Sequence, residues 1–392
     1  MKVLYIAPQY PNDNENAAQV RSNILLPLLN DKVSLKVVGY PASESAASSL
    51  DVIPVSVVGG RVRLVLSTLF SMNPRSFFRF NSKSALKAVA DTVDEFKPDI
   101  VHLDTIASLV HVKNLGDCKI VVQLHDCKSK VLRSQISSTS GAFRKLDLFL
   151  QYVKTISIEK KLYSLANRVL VDSNTDSIEL KKNNRKNRVD IFPVGFDKTI
   201  YNMHGPKERR VSNPGIIFTG SMSSLPTVEA SLFLIEKVMP KVWEKYPRLN
   251  LYLVGANPVK RLLVKAKQDS RVHITGFVKD LAAYLRSATV YVCPLTIGSG
   301  MKTRTIEALA CGCPLVSSSD GVEGLNTKGV EGPLWMQADS LDEYVECIMK
   351  ILADNPMAQE MGRNGAKFAV DNYSWQSLTS SLVDIYKLVI SD

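Results

Sequence analysis

Several things are scarce or missing in this 392-residue sequence, and each absence excludes a class of protein. No run approaches the ~20 consecutive apolar residues that a bilayer-spanning helix needs. The apolar core of Met1–Ala7 is too short for a signal peptide and reads as a first strand, so a cytoplasmic protein is expected. The six cysteines (Cys118, Cys127, Cys293, Cys311, Cys313 and Cys347) lie in or beside apolar runs without CxxC spacing. They read as small buried residues, not as a zinc site. The first apolar run leads into Pro8-Gln9-Tyr10-Pro11, not a Gly-x-Gly-x-x-Gly turn, which disfavours a dehydrogenase. No Asp-x-Asp occurs anywhere.

What is present is the balance of a folded chain, with 45% hydrophobic and 22% charged residues. The length exceeds one ordinary core and predicts two domains. The net charge of +11 is concentrated: residues 128–188 hold fourteen basic residues against five acidic ones. Such a field suits a polyanion or an anionic membrane surface, although a solvated helix face is the more common reason for a charge run.

Short β-branched runs alternate with longer stretches of helical periodicity. Strands are predicted at Val3–Ala7, Leu35–Gly39, Ile100–Leu103, Ile120–Leu124, Val169–Asp172 and Val189–Pro193. A second series follows at Gly215–Thr219, Leu249–Val254, Val272–Thr275, Val290–Pro294 and Pro314–Ser317. Near-continuous apolar character marks strands buried on both faces, and the alternation implies parallel sheets with right-handed crossovers. Helices are predicted at Ala17–Leu29, Ile156–Ala166, Val228–Tyr246 and Leu341–Leu352. The expected fold class is α/β, with two Rossmann-like domains facing across a deep cleft. The expected division is 1–196, a polar linker over 197–212, 213–372, and a C-terminal helix over 373–392 packing back on the first domain. Ligands of open α/β sheets sit beyond the carboxyl ends of the strands.

One stretch carries the clearest chemistry. A strand ending at Pro294 runs into the small-residue loop Gly298-Ser299-Gly300, followed by a predicted helix from Met301 to Cys311 that stops at Gly312 and Pro314. Free N–H groups and the positive end of the helix dipole make an anion site there. Lys302 in the first turn makes sense opposite a phosphate, or is a surface lysine. Glu307 lies in an otherwise apolar part of the helix; it is a structural salt-bridge partner or a carboxylate for a ribose diol. His125 closes an apolar strand, where Asp126 could fix its tautomer, and is either a satisfied structural group or a functional one. His273, within a strand, reads as structural. Glu323 follows a strand end, with its role open.

Taken together, Phe218-Thr219-Gly220-Ser221-Met222, Leu253-Val254-Gly255, Val272–Val278, Gly298–Lys302 and Glu307–Val316 resemble the C-terminal domain of group 1 (GT4-type) glycosyltransferases, in order and spacing. Leu124-His125-Asp126, Glu159 and Phe192–Asp197 are similar to landmarks of that family's first half. The resemblance implies a GT-B fold and retaining transfer of a sugar from a nucleotide-diphosphate donor, such as a UDP- or GDP-sugar. It implies that Glu307 holds the ribose diol and that the backbone of Gly276, Phe277 and Val278 reads the base. Gly220, Gly298, Ser299, Gly300, Met301 and Lys302 would line the donor site, and His125 would lie near the reacting carbon.

Three departures from the family pattern stand out. Ser299 replaces the first of two glutamates that the family often carries eight apart. The Arg and Lys that commonly follow the strand ending at Gly220 are missing from Ser221–Thr227, which leaves Lys302 to compensate the diphosphate. Ala17-Ala18 replace a glycine pair on the acceptor side, ahead of Arg21. The expected partners are a nucleotide-sugar and a glycan or lipid-linked acceptor, with no cofactor, no bound metal and no nucleic acid. Mixed basic and apolar residues at 61–70, 75–80 and 128–188 suggest peripheral contact with an anionic membrane, as suits polysaccharide assembly. A sugar-nucleotide epimerase or a non-catalytic binding protein of the same fold are the alternative readings.

Overall fold

The computed structural model describes residues 1–7, 17–39, 50–55, 73–78, 80–125, 127–182, 188–204, 215–296 and 301–392. The chain divides into two compact units. One holds Met1–Pro193 with Leu378–Asp392, and the other holds Val194–Ser377. Residues 205–212 of the expected linker lie outside the described residues, and 197–204 group with the second unit.

The first unit is built on a seven-stranded, all-parallel sheet in the order β3-β2-β1-β4-β5-β6-β7. Its strands are β1 (Lys2–Ala7), β2 (Ser34–Gly39), β3 (Val52–Pro54), β4 (Ile100–Leu103), β5 (Lys119–Leu124), β6 (Arg168–Val171) and β7 (Val189–Ile191). Its helices are α1 (Ala17–Asn30), α2 (Arg75–Phe78), α3 (Lys83–Phe96), α4 (Lys128–Ser138), α5 (Ala142–Leu165) and α6 (Asn174–Lys182). Val3 to Ala7 are fully buried, as the central position of β1 between β2 and β4 requires.

The second unit carries six parallel strands in the order β10-β9-β8-β11-β12-β13. These are β8 (Ile216–Thr219), β9 (Leu251–Val254), β10 (Val272–Ile274), β11 (Val290–Cys293), β12 (Leu315–Ser317) and β13 (Met336–Gln337). Between and after them lie α7 (Leu225–Phe233), α8 (Met239–Lys245), α9 (Lys260–Ala266), α10 (Leu281–Arg286), α11 (Thr303–Ala310), α12 (Leu341–Ala353), α13 (Asn355–Tyr373) and α14 (Trp375–Ser391). From Leu378 onward α14 belongs to the first unit, where Tyr386 Oη and His102 Nδ1 are hydrogen-bonded at 2.7 Å.

Local chemistry explains the differences from the sequence reading. The helix predicted over Val228–Tyr246 is divided by a π-turn at Leu234–Val238, ahead of Pro240, which has no N–H to give to a regular α-turn. Edge strands β3 and β13, three and two residues long, are too short to show a period. No helix among the described residues is long and apolar enough to cross a membrane.

Candidate active site

In the first unit a polar cluster gathers at the carboxyl ends of β4, β5 and β6. His125 follows β5, and its Nε2 lies 3.0 Å from Asp104, which follows β4. Asp172, following β6, approaches His125 Nδ1 at 3.6 Å. Arg21, on the second turn of α1 and 5% exposed, bonds Asp172 at 3.3 Å and lies 3.0 Å from His125 Nδ1. Gln123 supports the same Asp172 oxygen at 3.4 Å. Beneath them, Tyr5 stacks on His102 at 4.4 Å between centroids.

The charges decide what His125 can do. Burial works against its protonation, but Asp104 and Asp172 outweigh that and raise its pKa from 6.5 to about 9. Burial likewise opposes ionisation of Asp104, yet His125 and Arg21 hold it below the usual carboxylate range. His102 goes the other way: burial pushes it down to about 4, and it stays neutral. This shift favours the protonated, hydrogen-bond-donating form of His125 at neutral pH.

Asp104 and Asp172 are the orienting partners that sequence reasoning missed. Each ends a strand neighbouring β5 and only the sheet order brings it to His125. Asp126, expected to set the tautomer, lies outside the described residues. Ala17 and Ala18 open α1 one turn before Arg21. Glu159 serves the fold: its carboxylate accepts the Ser129 N–H at 3.0 Å and caps α4, whose N-cap residue Cys127 makes no side-chain cap of its own.

In the second unit the carboxyl ends of β8 and β9 come so close that a Cβ on Gly255 would collide with the Gly220 carbonyl oxygen. Gly220 itself leaves room for a side chain from α11: the Arg304 guanidinium lies where its Cβ would be. Arg304 Nη1 donates to the Thr219 carbonyl at 2.9 Å and to Thr227 Oγ1 at 3.2 Å. A cation therefore does stand at the end of β8. It comes from 85 residues further along the chain, not from Ser221–Thr227.

Glu307 sits one helical turn after Arg304, so both side chains project from neighbouring positions on α11. Burial raises the Glu307 pKa to about 7, against the opposing pull of a hydrogen bond from Tyr201 and the charge of Arg304. Thr305, between them, is tied by a 2.8 Å bond to the Gly321 carbonyl, which fixes the rotation of the helix.

Lys302 requires a correction. The helix begins at Thr303, so Lys302 is its extended N-cap residue (φ −97°, ψ 102°) and not part of the first turn. Its side chain is largely buried and pairs with Glu323 at 3.6 Å, which also gives Glu323 a partner. Met301 packs against Gly324. Gly298, Ser299 and Gly300 lie outside the described residues. Gly276 has φ +68° and bridges Gly255, Phe277 is 77% exposed and Val278 is half-buried. His273 stacks on Tyr252 and lies 3.3 Å from Asn250, within the body of the domain.

Residues 213–354, which hold all of these second-unit groups but Tyr201, match the family model described as Glycosyl transferases group 1. That segment is similar to the group 1 glycosyltransferases. Among curated relatives, the MMP alpha-(1->4)-mannosyltransferase of Mycolicibacterium hassiacum is 28% identical over 51% of this chain and 48% of its own length. The GDP-mannose-dependent alpha-(1-6)-phosphatidylinositol monomannoside mannosyltransferase of Mycolicibacterium smegmatis is 26% identical over 39% of this chain and 43% of its own. The matches thus span about half or less of those relatives. Sucrose-phosphate synthase from Thermosynechococcus elongatus resembles the whole chain in structure, with a TM-score of 0.69, 15% identity, and coverage of 100% and 99%. A likeness this remote is one of fold, and the fold is the two-domain GT-B arrangement.

Proposed function

We propose that this protein transfers a glycosyl group, with retention, from a nucleotide-diphosphate sugar to a glycan, glycolipid or polyprenyl-linked acceptor, in cell-surface polysaccharide assembly. The observation that carries the reading is the juxtaposition of Arg304, its guanidinium at the carboxyl end of β8, with Glu307 one turn further along α11. A guanidinium matches the diphosphate, and a carboxylate one turn away accepts from a ribose diol. Both lie in the segment matched by the family model. The backbone of Gly276, Phe277 and Val278 is assigned to the base, and Gly220, Gly298–Gly300, Met301 and Lys302 to the sugar and phosphates.

In the proposed reaction the bond between the anomeric carbon and the donor phosphate oxygen breaks while the acceptor oxygen bonds to the same face. The acceptor proton passes to the departing phosphate. No bound metal takes part in this scheme: Arg304 supplies the main compensation of the developing charge, and Lys302, itself paired with Glu323, a smaller part. His125, as an imidazolium, is assigned hydrogen-bond donation and charge stabilisation, not proton abstraction. Peripheral contact with an anionic membrane belongs to the same reading. A named substrate among the relatives is a phosphatidylinositol mannoside, which supports a lipid-borne acceptor.

The test is calorimetric binding of UDP, GDP, ADP and CDP, followed by nucleoside diphosphate release from the matching sugar donor with a lipid-linked oligosaccharide acceptor. Binding of one diphosphate and acceptor-dependent release, lost in Arg304→Gln, is the expected outcome. Binding without release under any donor supports a non-catalytic protein instead.

A further inference from the structure

Helix α5 exposes an apolar stripe while burying several polar side chains on its inner face beside Leu162. At about 100° per residue, Gln151, Thr155, Glu159 and Leu162 share one arc. All four are buried, and three of them are polar. Gln151 accepts the Arg75 backbone N–H at 2.8 Å and Glu159 accepts that of Ser129, so this polar inner face has partners. Phe143, Leu146, Phe149, Leu150 and Val153 fall on the opposite arc. They are 92%, 56%, 51%, 38% and 50% exposed. An isolated exposed apolar side chain needs no explanation, but five in one helical stripe, on three consecutive turns, form a surface that no other element among the described residues covers.

The charges around the stripe say what it fits. On the same wheel Lys145 and Lys154 fall close to the two edges of the stripe, and Lys161 continues its line toward the end of α5. The two acids of α5 are withdrawn: Asp147 pairs with Arg75 at 2.6 Å, and Glu159 is buried in its cap. The neighbouring α4 adds Lys128, while its Lys130 and Arg133 pair with Asp176 and Glu179 of α6. A second copy of the chain set face to face on this patch would bring like charges together, since an isologous contact repeats the same surface on both sides. A sheet of anionic headgroups over an acyl interior is complementary to both components, apolar stripe and cationic edges.

We propose that the outer face of α5 is the membrane-docking surface of this protein, lying in the interface of an anionic bilayer with Phe143, Leu146 and Phe149 inserted below the headgroups. This rests on the membrane-facing part of the proposed function and adds the place of contact. The test is flotation of the full chain on phosphatidylcholine vesicles with about a third phosphatidylglycerol, against phosphatidylcholine alone. The wild type is expected to float with the anionic vesicles at low salt and to be partly released at high salt. The triple variant Phe143→Ser, Leu146→Ser, Phe149→Ser should lose more than about tenfold in partitioning. Because these side chains are exposed, its melting temperature and nucleoside diphosphate binding should match the wild type. Failure of the wild type to float, or equal flotation of the variant, overturns the proposal. So does a wild-type dimer in sedimentation that the triple variant dissociates. Nucleotide binding is read separately, so a wrong donor assignment leaves the flotation result intact and the reverse also holds.

Discussion

Arg304 donates through Nη1 to the carbonyl oxygen of Thr219 at 2.9 Å, and so places a guanidinium from α11 at the carboxyl end of β8. The position is possible because residue 220 is glycine; a side chain there would meet the guanidinium directly. The domain thereby puts a fixed cation where its own β8 loop has none. Arg304→Gln is expected to weaken nucleoside diphosphate binding by about ten- to a hundredfold, as loss of a charge-assisted contact does. Lys302→Ala, whose charge is already met by Glu323, should cost less. Calorimetry on both variants decides the ranking, and a larger loss in Lys302→Ala would reverse the assignment.

His125 should titrate near pH 9, far above an ordinary histidine. Replacing Asp104 with Asn removes the closest countercharge and should bring the midpoint down by at least about one unit, read from its ring resonances by NMR. The raised pKa also fixes a sign for stability. The contribution is fully present below the unfolded value of 6.5 and is lost as pH rises through about 9. Urea unfolding across that window should show a decline that Asp104→Asn flattens.

Glu307 offers a second titration in the opposite functional sense. With a pKa of about 7, its carboxylate forms through the neutral range, so affinity for a ribose-bearing ligand should rise from pH 6 to 8. The hydrogen bond from Tyr201 favours the ionised form. Tyr201→Phe should therefore move the midpoint upward, and Glu307→Gln should abolish the pH dependence. A pH-independent affinity in the wild type would remove Glu307 from the ribose contact.

The sheets were legible because strands buried on both faces leave continuous apolar runs: Val3–Ala7 and Val290–Cys293 can scarcely be read otherwise. Glu307 was legible because an acid stands out in Ile306–Ala310. Arg304 was not, although it lies three residues before Glu307, because attention to the loop after β8 ignores a side chain that returns across the sheet. Asp104 and Asp172 could not be assigned to His125 without the strand order, since they lie 21 and 47 residues away from it in the chain. The start of α11 lies two residues later than the pattern suggests: Met301 and Lys302 are good helix formers, but Lys302 is the extended N-cap residue, its ammonium paired with Glu323.

Two glycines of the second unit separate close approach from backbone conformation. Gly255 ends β9 with its Cα against the Gly220 carbonyl, and an added methyl group would strike backbone that cannot give way without parting β8 from β9. Gly255→Ala should cost at least about 3 kcal/mol. That corresponds to roughly 6–12 °C in melting temperature for a unit of this size. A methyl group added at Gly276 would have nothing within 4 Å, but the φ of +68° there is unfavourable for alanine. Gly276→Ala should therefore cost only about 1 kcal/mol. If Gly276, Phe277 and Val278 present their backbone to the base, the mild variant should nonetheless lose nucleotide affinity, while its melting curve stays close to the wild type. Thermal denaturation paired with calorimetry on both variants reads the two effects separately. Equal melting temperatures for the two would show that the strand ends can part at little cost, and that close packing of β8 on β9 is not what shapes the donor side of the domain.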